Sequence, residues 1–136
     1  MTVTPAATST RLAAGLPWLA SLGEHGDQAA LITASGVLSH ADLAGRVDEV
    51  TERLAGPRRL VLLEGTNTVT TVVTYLAALT AGHVVLLAAA GASGPSEALR
   101  AAYDPDIVVG ADAAIEVVRA ESAHDLHPDL ALLLST

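Results

Sequence analysis

Apolar residues fall in short runs separated by turn-forming clusters, and the spacing within the runs changes along the chain. Ala29 to Thr33 and Val37 to Leu38 flank Ala34, Ser35 and Gly36, which predicts a short hairpin. A helix is expected at once afterwards. Ser39 with Asp42 three residues on makes an S-x-x-D cap, and Leu43, Val47, Val50 and Leu54 then recur at helical spacing. Asp42 with Arg46, and Glu49 with Arg53, are expected as i,i+4 pairs on the wet side, and Gly56-Pro57 ends the helix.

Arg59 to Glu64 has apolar residues on both faces, as a central strand of a covered parallel sheet requires. Thr68 to Ala81 is rich in Val and Thr, yet Val69, Val72, Val73, Leu76 and Leu79 fit a 3.6 period, so it is read as a helix with Gly82 as its stop. Val84 to Leu87 is the next strand. Pro95 to Tyr103 reads as a helix with proline at its first position, and Ile107 to Val109 as a strand. Ala114 to Arg119 fits either class, Glu121 to Asp129 is a polar loop, and Leu130 to Leu134 is a last apolar strand, expected to be buried. The alternation predicts an α/β fold: a mainly parallel sheet flanked by helices, a partial Rossmann-like subdomain with a short amino-terminal hairpin. Residues 1–25 are expected as a lead segment and 26–136 as one α/β unit.

Composition narrows the function. The hydrophobic share is 51%, which excludes intrinsic disorder, and much of it is small Ala, as in an alanine-rich genome or a piece of a larger protein. Fifteen acids against seven bases give a net charge of −8, which repels a phosphate backbone, so no nucleic-acid partner is expected. All seven bases are Arg, so chemistry that needs a lysine is excluded, and the absence of Cys removes thiolate nucleophiles. The start of the chain has no apolar core behind a basic end, so export is not indicated and a cytoplasmic location is expected. Gly65 to Ser96 carries no formal charge, but its threonines, Gly82, His83 and Gly91 to Pro95 interrupt it, so no membrane span is expected.

Three motifs and two single residues carry candidate chemistry. Gly91-Ala92-Ser93-Gly94, with Asp112 beyond the next strand, suggests a dinucleotide site, but Glu97 stands where the third glycine belongs and would repel pyrophosphate. His124, Asp125, His127 and Asp129 could ligate zinc or nickel, although such clusters are more often solvated loops, and no metal site is expected. Ser39, His40 and Asp42 are the residue types of a hydrolase triad, but capping already explains two of them. His83 is expected in a surface turn or half-buried, and Glu64 ends a central strand where α/β sheets bind ligands. No catalytic residue is assigned.

Several segments, in order, resemble the beginning of an adenylate-forming enzyme, the superfamily of acyl-CoA synthetases, peptide-synthetase adenylation domains and luciferases. Gly26 to Ile32 resembles the opening strand. Gly36 to Leu43 resembles G-x-x-L-[ST]-Y-x-E-L, with His40 for the aromatic residue and Asp42 for Glu. Asn67 and the helix to Leu79-Thr80-Ala81-Gly82, continuing to Leu87, resemble L-x-A-G-x-x-x-x-P, with Leu87 in place of proline. His127 to Thr136 resembles the approach to the family's phosphate loop, with Thr136 as that loop's first hydroxyl.

The resemblance implies a parent enzyme that activates a carboxylic acid with ATP and Mg²⁺ and passes the acyl group from the adenylate to CoA or a carrier thiol. It implies that this chain is a structural subdomain, truncated at the phosphate loop, whose partners are the remaining subdomains. For the chain itself it implies no activity, no cofactor and, as cofactor-binding residue, only Thr136. An apolar surface meant for other subdomains would favour a homodimer of the chain alone. A dinucleotide-binding module using Gly91 to Gly94 and a free-standing interaction domain are the alternatives.

Overall fold

The computed structural model describes residues 16–91 and 96–134. Within the lead segment, helix α1 (Pro17–Ala20) and a 3₁₀ turn (Leu22–His25) precede the hairpin. They were not legible as elements, and α1 is held through the buried Leu19. Strands β1 (Ala29–Thr33) and β2 (Gly36–Ser39) pair antiparallel, with Leu31 opposite Leu38 and Ile32 opposite Val37. Helix α2 (His40–Arg53) starts where Ser39 Oγ accepts the Asp42 amide at 3.1 Å. The expected pairs Asp42–Arg46 and Glu49–Arg53 do not form; among the described residues the ion pairs are Arg100–Glu116, Arg119–Asp104 and Arg119–Asp106.

Five further strands build one sheet: β3 (Leu60–Gly65), β4 (Val84–Ala89), β5 (Ile107–Val109), β6 (Ile115–Val117) and β7 (Leu132–Leu134), in the order β6-β5-β3-β4-β7. Only β6 runs antiparallel, against β5. Helix α3 (Val69–Thr80) joins β3 to β4, and Thr68 Oγ1 caps it by accepting the Thr71 amide. At its other end the Gly82 amide bonds Leu79 O and the His83 amide bonds Ala78 O, a Schellman closure. It requires the left-handed backbone of Gly82, φ 88°. Helix α4 (Ser96–Tyr103) lies between β4 and β5; Pro95, expected as its first residue, lies outside the described residues.

Alternation along β3 sends Val61 and Leu63 to one side and Leu60 and Leu62 to the other. The first side packs with Leu43, Val47, Leu76 and Leu79 of α2 and α3. The second packs under Leu99 of α4 with Leu126 and Leu130 of the loop before β7. Both faces are thus covered within the chain, and Leu60, Leu62 and Leu86 are almost fully buried. The last strand differs from expectation. It covers Leu132 to Leu134 only, and as an edge strand beside β4 it is half-exposed, with Leu134 63% accessible.

No helix among the described residues is long and apolar enough to cross a membrane.

Candidate functional site

Adjacent strands β3 and β4 send their connections to opposite faces: α3 packs on one side of the sheet and α4 on the other. Where neighbouring connections diverge in this way the carboxyl ends of the strands leave a crevice, the usual ligand position in open α/β sheets. Here it measures about 390 Å³. Leu87, Ala88 and Ala89 of β4 and Leu134 of β7 supply its apolar lining, while Thr66, Asn67 and Thr71 form a polar rim. Gly65 lets these walls approach: a Cβ there would lie 3.1 Å from Thr71 Cγ2 and 3.2 Å from Leu87 Cδ1.

The rim is internally bonded. The Thr66 amide donates to Thr71 Oγ1 at 3.0 Å, the Thr71 amide to Thr68 Oγ1 at 3.3 Å, and the Thr66 and Thr68 hydroxyls are 3.2 Å apart. The Asn67 side chain makes no hydrogen bond among the described residues, and it borders a second cleft of about 610 Å³ between the hairpin turn and the start of α3.

Long-range polar contacts fix the sheet that carries the crevice. Arg58 donates to Gly82 O at 2.8 Å and to His127 O and Leu130 O at 2.6 Å each, tying the approach to β7 onto the turn before β4. Burial pushes its pKa down from the ordinary value, against the pull of Asp129. Asp106, fully buried at the start of β5, accepts from the Leu60 and Ala123 amides, Ser122 Oγ and Arg119. Burial alone would raise its pKa, but these four donors together hold it below the usual carboxylate value.

The other sequence candidates are placed apart. Glu64 is the next-to-last residue of β3, half-buried, on the opposite face from Gly65, and makes no side-chain hydrogen bond or ion pair among the described residues. His83 is neither at the surface nor half-buried but fully enclosed: Nδ1 accepts the Arg59 amide at 3.1 Å and Nε2 donates to Leu54 O at 2.6 Å. Burial is the main cause that lowers its pKa, and both ring nitrogens are occupied. His40 meets His25 edge-on, ring centres 4.9 Å apart, and has no hydrogen bond to Ser39 or Asp42, so those three residues form no triad.

His124 donates from Nε2 to Asp104 O, and His127 Nδ1 accepts the Asp129 amide. Among the described residues no group of three or more His, Asp or Glu side chains is arranged to hold a metal ion. Asp112 accepts the Ala114 amide in a turn after β5. That strand is not the neighbour of β4 but lies beyond β3, so Asp112 is on the wrong strand to meet a ribose held at the loop after β4. Residues 92–94 of the glycine loop and Thr136 lie outside the described residues.

Sequence reasoning missed the crevice rim, Arg58 and Asp106. A double Arg directly before an apolar strand, and an Asp directly before another, were the only signals available.

No family model and no curated protein matches the chain. Solved structures do. One is the N-terminal subdomain of NpsA from Klebsiella oxytoca, at 13% identity and TM-score 0.57, covering 98% of this chain and 32% of that one. Another is the same subdomain in complex with 3-hydroxybenzoyl-AMSN, at 12% identity and TM-score 0.56, covering 98% and 30%. The chain therefore shares this fold along nearly its whole length, and it spans about a third of the length of the structures it matches.

Proposed function

We propose that this chain is the amino-terminal α/β subdomain of an adenylate-forming enzyme, one that joins a carboxylic acid to CoA or a carrier thiol through an acyl-adenylate. The observation that carries the reading is agreement between two independent orders. The segments that resemble the superfamily run from Gly26 to Thr136 in its sequence, and the fold shared with the NpsA subdomain covers 98% of the chain.

In this reading the chain contributes scaffold. The described residues are not fitted to hold a triphosphate: the crevice lining has no cation, and the Thr66 and Thr71 amides are already bonded within the α3 cap. ATP and Mg²⁺, which supply adenylyl transfer to the carboxylate, and the acceptor thiol are therefore assigned to the rest of the enzyme, as is the lysine that this chain lacks. What the chain does itself is order β3, β4 and β7 so that their carboxyl ends form one rim. Hydroxybenzoic acids are the first substrates to try, given the group carried by the ligand in the NpsA complex.

The test is acid-dependent exchange of pyrophosphate into ATP, run on residues 1–136 and on the product of the whole coding region. Exchange is expected from the second and not the first. Exchange by residues 1–136 alone would overturn the scaffold role, and no exchange by the whole product over a broad acid panel would overturn acid activation.

A further inference from the structure

The chain carries 15 acids and seven bases, yet among the described residues none of them lines the crevice at the ends of β3, β4 and β7. The second cleft, across Asn67, is equally free of charged side chains among the described residues. From this segregation we infer that the crevice is a binding site for an uncharged, hydrogen-bonding group on a small ring or short apolar chain. The inference goes beyond the proposed activity, which assigns this crevice no ligand.

Size sets the first limit. A volume of about 390 Å³ lies at the low end of small-molecule sites, enough for a single substituted ring. Leu87, Ala88, Ala89 and Leu134 offer such a ring an apolar bed, and Gly65 keeps the wall beside it thin. The carboxamide of Asn67, exposed and without a hydrogen bond among the described residues, can both donate to and accept from the polar end of the guest.

Charge sets the second. An anion laid on this bed would lose water without gaining a cation, and the amide donors that a helix start commonly offers it are in part consumed, Thr66 N–H by Thr71 and Thr71 N–H by Thr68. The chain's net charge of −8 adds repulsion. A cation fares no better at close range, because Glu64 lies on the other face of β3 and no carboxylate among the described residues lines the site. A neutral guest avoids both penalties.

Benzamide and benzoate share a ring and differ in charge, so they separate the two cases. With the ¹⁵N-labelled chain of residues 1–136, benzamide should give saturable amide shifts at Gly65, Thr66, Thr71, Ala88 and Ala89, with benzoate at least tenfold weaker. Ala89→Leu, at an exposed strand end, should fill the bed and abolish the shifts, and Asn67→Ala should weaken them several-fold while leaving the spectrum folded. Equal shifts from benzoate, no saturable shift from benzamide, or shifts untouched by both variants would overturn the inference. Because the chain alone is titrated and no turnover is read, a negative result here leaves the acid-activation proposal standing or falling on its own test.

Discussion

His83 and Leu54 stand 29 residues apart, and a 2.6 Å hydrogen bond from the imidazole Nε2 to the Leu54 carbonyl joins the end of α2 to the start of β4. The other ring nitrogen receives the Arg59 amide, so one neutral tautomer closes two backbone groups inside the core. Replacing the ring orphans both. His83→Phe should cost about 1 to 3 kcal/mol for each unsatisfied group, measured by denaturant unfolding.

The same ring sets a pH dependence. Its folded pKa lies below the ordinary 6.5, so on acidification the unfolded chain takes up a proton that the folded site refuses. Stability from this group is complete above pH 6.5 and declines as pH falls below it towards the folded value. In a comparison of unfolding midpoints, His83→Gln should flatten the slope in that window relative to the unmodified chain. Parallel curves would show that His83 is not the titrating group.

Asp106 acts in a lower window by the same sign. Its folded pKa is held below 3.8, so its contribution is complete above that value and is lost as pH falls through the folded one. At neutral pH, Asp106→Ala should destabilise by about 1 to 3 kcal/mol through the buried Leu60 amide it leaves without an acceptor, with a further loss at the Ala123 amide, while Arg119 keeps its pair with Asp104. Asp106→Asn keeps the shape and part of the bonding and should cost less. Equal losses in the two variants, read from chemical denaturation, would mean that volume rather than hydrogen bonding holds the site.

Elements that carry their own period and punctuation were legible in the sequence. The α3 segment has abundant β-branched residues, but its apolar spacing is helical and Thr68 and Gly82 mark its ends, so local β propensity gave way to burial of one face. Short elements were not legible. Three residues from Ile115 to Val117 show no period, and what makes them a strand is the turn at Gly110 to Ala114, with Ala113 at φ 67°, which returns them onto β5. The expected burial of the last strand failed because three leucines in a row say nothing about whether a further strand lies beside them. The crevice joins residues 65–67, 71, 87–89 and 134, and its members are uncharged, so no spacing rule could have collected them. His83 was misplaced for a related reason: its two partners come from elsewhere in the chain.

The cap of α2 allows a local test. Ser39 Oγ is the acceptor for the Asp42 amide, so Ser39→Ala should lower stability by about 0.5 to 2 kcal/mol, and Thr68→Ala, which also breaks the bonds to the Thr66 and Thr71 hydroxyls, should do at least as much. The second change also loosens the crevice rim and the first does not. Amide exchange at Thr66 and Thr71 should therefore quicken in Thr68→Ala and stay unchanged in Ser39→Ala.

For residues 1–136 alone, self-association is expected to use one sheet edge more than the sheet faces. The sheet faces are covered by α2, α3, α4 and the loop before β7, which removes the helix faces as a cause of pairing. The two edges are unequal. On β6, Glu116 is paired with Arg100, a charged device that discourages strand addition, whereas β7 presents only leucines, with Leu134 largely exposed. Antiparallel addition of a second β7 across a two-fold axis would cover that edge in both copies, while a charge of −8 per chain keeps the assembly small. Sedimentation equilibrium of residues 1–136 should thus show a concentration-dependent dimer that Leu134→Lys converts to monomer. A monomer at all concentrations before substitution, or a dimer that survives it, would place the covering of β7 elsewhere.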